Sequence, residues 1–412
     1  MRIRMHSVAE AKKKLLKSLA VVGTENVPLE EAVGRVLAAD FVAQLDSPIF
    51  ATSSMDGFAV KASDIKEAKQ ETPVELRVAG DIPAGSYSDH QLEEGTALRI
   101  MTGAPVPKGA DVVLPVEETD VVGRGPDFPL PEKILAYRSL KRGKHVRPIG
   151  EDFQPGDRLL RAGKILRAQE VALLAMNGMQ EIGVRRALRV VLFSSGDELR
   201  VPGEALQPGQ IYESNSFAIA ANLKELGADV TILPIAPDNL NKIIALLDQA
   251  LEASPDLILS SAGVSVGTHD YVRDAILSKG NLDLWKVDMK PGKPLAFGDY
   301  GGIPVIALPG NPVSSFVSFE IFARPAILRM SGSEGQTRLK VWGKLAEDVR
   351  LDGRETYFRG VYIEKKRKLL VSLTGSQGSG NLYSLVRANC LVRIPAGKKK
   401  LTSGAKVEIW PI

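Results

Sequence analysis

Between residues 188 and 328 the chain alternates short apolar runs with amphipathic stretches, and this alternation restricts the fold more than any other feature. Apolar runs over 188–193, 230–235, 256–260 and 303–308 predict strands, and the stretches over 216–226, 240–253 and 312–330 predict helices. The run over 256–260 is continuously apolar in its middle, as a strand covered on both faces is. Strands alternating with helices imply a parallel sheet with right-handed crossovers. Ligands of such sheets sit beyond the carboxyl ends of the strands, so the loops that follow these runs are where chemistry is sought first.

The rest of the chain has a different texture. Ser7 and Glu10 form a capping box before an apolar stripe of Val8, Leu15, Leu16 and Leu19. A second helix is expected over 29–39 and a third over 169–176, the latter stopped by Asn177-Gly178. From 47 to about 157, prolines and glycines punctuate short β-rich runs over 74–78, 97–101 and 111–116. After Gly335 the pattern is β again, with no clear helix to the end, which reads as a small C-terminal β-barrel or sandwich over 340–412.

At 412 residues the chain exceeds one ordinary core, and a spacing of about 150 residues per domain suggests two to four. The net charge of +4, from 53 basic and 49 acidic residues, gives no case for a nucleic-acid partner. The single cysteine, Cys390, excludes an intramolecular disulfide and fits a reducing compartment. No apolar run reaches the roughly 18–20 residues of a membrane span, and the first ten residues lack the apolar core of a signal peptide. Both point to the cytoplasm and away from a membrane partner. The histidines His6, His90, His145 and His269 show no metal-ligand spacing.

Four groups of residues at the strand ends could carry chemistry. The run Ser261 to Gly267 holds Gly263, Ser265 and Gly267 after a buried strand; it is either an ordinary βα turn or a backbone cradle for phosphate. In Pro309-Gly310-Asn311-Pro312-Val313-Ser314, two prolines bracket residues that tolerate left-handed backbone, giving a rigid turn. In Lys290-Pro291-Gly292-Lys293-Pro294 two lysines share a stiff loop, which is a clamp for oxyanions or a solvated loop. Asp197, Glu198, Asp238 and Asp270 all follow strands; they are helix caps or hard oxygen ligands for magnesium beside a phosphate. Elsewhere Ser53 to Phe58, 99–105, Arg147 and Gly150-Glu151-Asp152 read as turn-stabilising runs. A Walker loop is missing from the sequence.

Taken together, these runs resemble one family, the molybdopterin molybdenumtransferases, comprising bacterial MoeA proteins and the E domain of gephyrin. The resemblance rests on Ser54-Met55-Asp56-Gly57-Phe58, 99–107, Gly150-Glu151-Asp152, 193–199, 263–267, Asp270-Tyr271, 290–294, 308–314 and Gln377-Gly378-Ser379, in family order over nearly the whole chain. It implies a multidomain α/β plus β protein. The expected parts are a three-layer α/β domain with a parallel-dominated sheet (1–24 plus 187–331), an elongated domain (25–46 plus 154–186), its β-rich insertion (47–153) and a C-terminal β-barrel (332–412). It implies that adenylylated molybdopterin and molybdate, with Mg2+, give molybdenum cofactor and AMP. It implies a homodimer, and the adenylyltransferase that makes the substrate as a further partner.

Carried over residue by residue, the resemblance assigns catalysis to Asp56, Thr102, Glu198, Asp238, Asp270, Lys286 and Lys290. Asp56 and Thr102 would reach a neighbouring subunit's cleft. Magnesium would be organised by Asp197, Glu198, Asp238 and Asp270. Substrate would be held by Gly263, Ser265, Gly267, Lys293, Pro309, Gly310, Asn311, Pro312, Ser314, Arg359 and Ser379, the last two from the C-terminal β region. The chain departs from the family in Ala262, Ser195 and Phe58, where the family commonly has glycine, threonine and tyrosine; Thr268-His269 also departs from the expected acidic spacing before Asp270. Rival expectations are a tungstate-preferring version of the same enzyme, an adenylyltransferase built on the same α/β domain, and a gephyrin-like scaffold.

Overall fold

The computed structural model describes residues 5–83, 85–86, 91–122, 129–261, 271–334 and 338–412. They fold into two compact units, one made of the chain up to Ala39 with Ala162–Ala175 and Met179–Ile412, the other of Asp40–Arg161 with Met176–Gly178.

The first unit contains a seven-stranded sheet. Its parallel part runs through Asp229–Ile232, Arg189–Phe193, Leu257–Ser260 and Ile303–Ala307. Alternate residues of these strands feed two cores. Val190, Leu192, Leu257, Leu259 and Ile306 pack with Ala11, Leu15, Ile219, Leu223 and Val317 on one face. Val191, Phe193, Ile258, Val305 and Ala307 pack with Ile243, Leu247, Ala250, Val272 and Ile276 on the other. Burial on both faces explains the unbroken apolar strands and makes a three-layer domain.

The sequence pattern did not predict the other edge. Gly280–Val287 and Pro294–Tyr300 form an antiparallel hairpin that pairs onto Ile303–Ala307, and Met5–His6 adds in parallel outside it. The Ser7–Glu10 box opens helix Val8–Lys17: the Glu10 amide donates to the Ser7 hydroxyl, and the Ser7 amide donates to the Glu10 carboxylate.

The helix expected over 29–39 is a correction. Only Leu29–Glu31 turns, as a 3-10 helix. Gly34 then takes a φ of +81°, and the neighbouring amides and carbonyls bond to distant backbone, Leu37 N–H to Lys164 O and Arg185 N–H to Val36 O. Long-range pairing overrides the local helical preference there.

The C-terminal region closes into a five-stranded barrel. Strand Glu355–Lys365 pairs with both Lys368–Leu373 and Cys390–Ile394, and Val341–Leu345 and Lys406–Pro411 complete the ring. Leu345, Phe358, Val371, Val392 and Ile409 fill it. Tyr357, one residue from Phe358 and so on the opposite side of the strand, joins the core of the α/β domain. Met289–Lys290 adds a parallel pairing to Glu355–Thr356. Barrel and sheet are thereby locked together. One short helix, Tyr383–Val386, interrupts the region that the sequence reads as purely β.

The second unit is built on a five-stranded sheet in which Gly57–Val60 lies between Val112–Pro115 and Thr96–Ile100. Gly57 is required for that close approach, because a Cβ there would meet the Leu114 carbonyl oxygen. Arg147 forks between Glu151 and Asp152 at 2.7 Å each, as the charged run suggests. Among the described residues no helix is long and apolar enough to cross a membrane.

A cationic cleft as candidate active site

The carboxyl ends of the parallel strands and one side of the barrel line a cleft of about 930 Å³ within the first unit. That is ample for a nucleotide-sized ligand. Among the described residues its side chains include four cations, Lys290, Lys293, Arg354 and Arg359, against two acids, Glu198 and Glu213.

Arg359 is the most unusual of these. Strand alternation turns it away from the barrel core, and it is 1% exposed. Its Nε donates to Ser384 Oγ at 3.0 Å and its Nη2 to Gly378 O at 3.0 Å. No carboxylate pairs with it among the described residues, and burial alone pushes its pKa down to about 10. The Gln377 side chain brackets its backbone, accepting from Arg359 N–H and donating to Arg359 O. Ser379 follows in the same loop, and its carbonyl accepts from Val313 N–H, which ties the barrel loop to the start of helix Pro312–Ser318.

That helix start is the rigid turn expected from sequence. Asn311 is its N-cap residue and Pro312 occupies the first turn. Asn215 Nδ2 donates to Gly310 O at 2.7 Å, fixing the turn from a second side. Pro309, Gly310, Asn311, Pro312 and Ser314 all face the cleft.

The lysine loop is seated on the same helix. Gly292 has a φ of +92°, and a Cβ on it would lie 2.5 Å from Ser318 Oγ. Lys290 and Lys293, on either side, are exposed to the cleft. Asp352 lies 3.5 Å from Lys290, and its carboxyl is held well below the usual range, chiefly by the Arg354 guanidinium. Replacing Gly292 by alanine is expected to cost about 1–2 kcal/mol for the left-handed backbone alone. The contact with Ser318 adds to this and displaces the lysines. A fall of at least about tenfold in phosphate affinity, one hydrogen bond's worth or more, is the expected result by titration calorimetry.

The acids divide. Glu198 lines the cleft. Asp197 and Asp238 face each other at adjacent strand ends, the Asp238 amide donating to Asp197 Oδ1 at 3.2 Å and the Asp197 amide to Asp238 Oδ2 at 3.5 Å. Among the described residues no three acid, histidine or cysteine side chains gather as a metal site. Lys286 sits half-buried on the hairpin strand opposite Pro294 and is not part of the cleft wall. Gly263, Ser265, Gly267 and Asp270, with Ala262, lie outside the described residues.

In the second unit, Asp56 and Thr102 lie just beyond the paired ends of Gly57–Val60 and Thr96–Ile100, and the Thr102 amide and hydroxyl donate to Asp56 Oδ1 at 2.6 and 2.7 Å. These bonds hold the Asp56 carboxyl below its ordinary pKa. Sequence reasoning missed Arg354, Tyr212, Glu213 and Asn215 as cleft residues. Glu213-Ser214-Asn215 reads locally as a helix start, which it also is.

Comparison with known proteins agrees with this architecture. Residues 6–178 match the MoeA N-terminal region (domain I and II), 191–329 a probable molybdopterin binding domain, and 343–412 the MoeA C-terminal region (domain IV). A curated Mycobacterium tuberculosis protein, molybdopterin molybdenumtransferase 2, is 38% identical over 415 residues, covering 99% of this chain and 100% of its own length. The chain belongs to the molybdopterin molybdenumtransferase family. A Nostoc member of that family is 36% identical over 391 residues, covering 93% of this chain and 88% of its own. The crystal structure of the molybdopterin biosynthesis MoeA protein from Pyrococcus horikoshii superimposes with a TM-score of 0.84 at 29% identity, over 99% of this chain and 100% of that one. The fold expected from sequence, α/β with a C-terminal β-barrel, is the family's fold.

Proposed function

We propose that this chain inserts molybdenum from molybdate into adenylylated molybdopterin, releasing AMP, in molybdenum cofactor biosynthesis. The observation that carries the reading is Arg359, a buried guanidinium with no carboxylate partner among the described residues, in a cleft whose described lining holds more cations than acids. A buried cation kept without a counter-ion is costly unless an anion arrives to pair with it. Molybdate and a pterin-side phosphate are such anions, and Lys290, Lys293, Ser314 and Ser379 stand around the same space.

The bond to be broken is a pyrophosphate, so the protein's work is to hold charge and place water. Asp197 and Asp238, which face each other at adjacent strand ends, are a pair of hard oxygen donors that would suit magnesium; bound there, the ion would neutralise phosphate charge. We extend the proposal to a cytoplasmic homodimer in which the Asp56–Thr102 pair of one subunit serves its neighbour's reaction. The direct test is incubation with adenylylated molybdopterin, magnesium and molybdate or tungstate, following AMP and metal-loaded pterin. Oxyanion-dependent AMP release is the expected result, and its absence with both oxyanions would refute the reading.

A further inference from the structure

Four buried side chains at the floor of the cleft form a chain whose hydrogen bonds have only one consistent direction. Ser194, Glu213, Ser216 and Ser261 are each 2–5% exposed, and Glu213 and Ser261 line the cleft. A carboxylate only accepts, so Glu213 Oε1 takes the Ser194 hydroxyl proton at 3.1 Å, together with the Ser216 amide at 2.8 Å. With its single proton committed, Ser194 Oγ is left as an acceptor. The 2.6 Å contact to Ser216 Oγ must then run from Ser216 to Ser194. The Ser261 hydroxyl also donates to Ser194 Oγ, at 2.9 Å. Its own proton is therefore spent inside the protein, and only its lone pairs remain for a ligand.

We infer that Ser261 is an obligate hydrogen-bond acceptor in the cleft and binds an O–H or N–H donor, not a phosphate oxygen. This reverses the role that its glycine-rich neighbourhood suggests, where small hydroxyl residues read as phosphate donors. Resting on the proposed reaction, the donor in question is the water that attacks the phosphoanhydride. Accepting from that water, Ser261 fixes its orientation. As a phosphorus–oxygen bond forms and the bridging bond to the leaving phosphate breaks, the water's proton passes to Ser261. Ser261 hands its own proton to Ser194, whose proton goes to Glu213. Ser261 is the catalytic residue; Ser194 and Glu213 act through it as positioning residues.

The test uses the full chain and three variants, Ser261→Ala, Ser261→Thr and Ser194→Ala. The last removes one hydroxyl and leaves the Glu213 bond to the Ser216 amide in place, so the helix start keeps its cap. Inorganic phosphate is the first probe. Ser261→Ala is expected to bind it within about twofold of wild type, because an acceptor adds nothing to an anion. Ser194→Ala releases the Ser261 proton to the cleft and is expected to bind phosphate about tenfold more tightly, one net hydrogen bond's worth. A tenfold loss in Ser261→Ala, or no gain in Ser194→Ala, would overturn the assigned polarity. AMP release is the second probe. In Ser261→Ala, kcat is expected to fall about 100-fold, typical for a lost proton-transfer group, with KM little changed, and Ser261→Thr to restore most of it. Wild-type kcat in Ser261→Ala would remove Ser261 from the attacking water. The phosphate arm decides the polarity even if the wild-type protein releases no AMP, so failure of the proposed function and failure of this inference are told apart.

Discussion

Arg359→Met is expected to abolish oxyanion binding and to lower AMP release by about 100- to 1000-fold, the scale seen when a charge-stabilising donor is lost, while the thermal midpoint stays level or rises. The two effects have one cause. Arg359 is 1% exposed and its bonds go to a serine hydroxyl and a carbonyl, with no carboxylate among the described residues to offset its desolvation. The folded protein without ligand therefore bears the cost of a buried charge, and an anion entering the cleft relieves it. Methionine keeps the apolar stem and discards the charge, so the free protein loses a liability and the complex loses its main attraction. Arg359→Lys should recover only part of the activity, because an ammonium cannot reproduce the planar fork that spans Ser384 Oγ and Gly378 O. Calorimetry with phosphate and molybdate, paired with a thermal melt, reads both halves. A methionine variant that binds and turns over like wild type would place the anion elsewhere.

What the sequence disclosed divides along a physical line. The parallel strands of the α/β domain were legible because burial on both faces forces continuous apolar runs, as in 256–260. The hairpin of Gly280–Val287 and Pro294–Tyr300 was not, since its segments carry lysine, aspartate and glycine and owe their strand state to pairing with each other and with Ile303–Ala307. The expected helix over 29–39 failed for the same reason, its backbone being claimed by residues more than a hundred positions away.

In the cleft, the lysine loop and the 309–314 turn could be singled out locally, because proline and glycine advertise rigid backbone. Arg359 and Ser379 could not: nothing in Tyr357-Phe358-Arg359 distinguishes a cleft arginine from a solvated one on a barrel strand. They entered through the family resemblance, and the structure supplies the burial and the missing counter-ion that make Arg359 interpretable. Glu213 escaped because a carboxylate ahead of a helix looks like a cap; its second connection, through Ser194 to Ser261, joins residues 48 positions apart and has no sequence signature.

Glu320→Ala is expected to be the most destabilising single change discussed here, by about 3–5 kcal/mol. Glu320 lies in the π-helical turn Phe319–Ala323 between helices Pro312–Ser318 and Arg324–Met330, with its side chain 0% exposed. Each of its oxygens accepts from both Arg324 and Arg338, at 2.8–3.1 Å. The carboxylate is thus the shared counter-ion of two guanidiniums, one on the last helix of the α/β domain and one just before the first barrel strand, Val341–Leu345. Glu225, 3.6 Å from Arg324, is largely exposed and cannot replace it. Alanine leaves two cations facing each other in a medium that solvates them poorly, and a loss of this size lowers the melting temperature by roughly 6–20 °C, at about 2–4 °C per kcal/mol for a body this large. The triple change Glu320→Leu, Arg324→Met and Arg338→Met should melt near wild type, because removing the whole cluster removes the desolvation cost with it. Calorimetric melts of both variants separate the two contributions. A single-variant loss under 1 kcal/mol would mean that water reaches both arginines and that the cluster adds little to the junction between sheet and barrel.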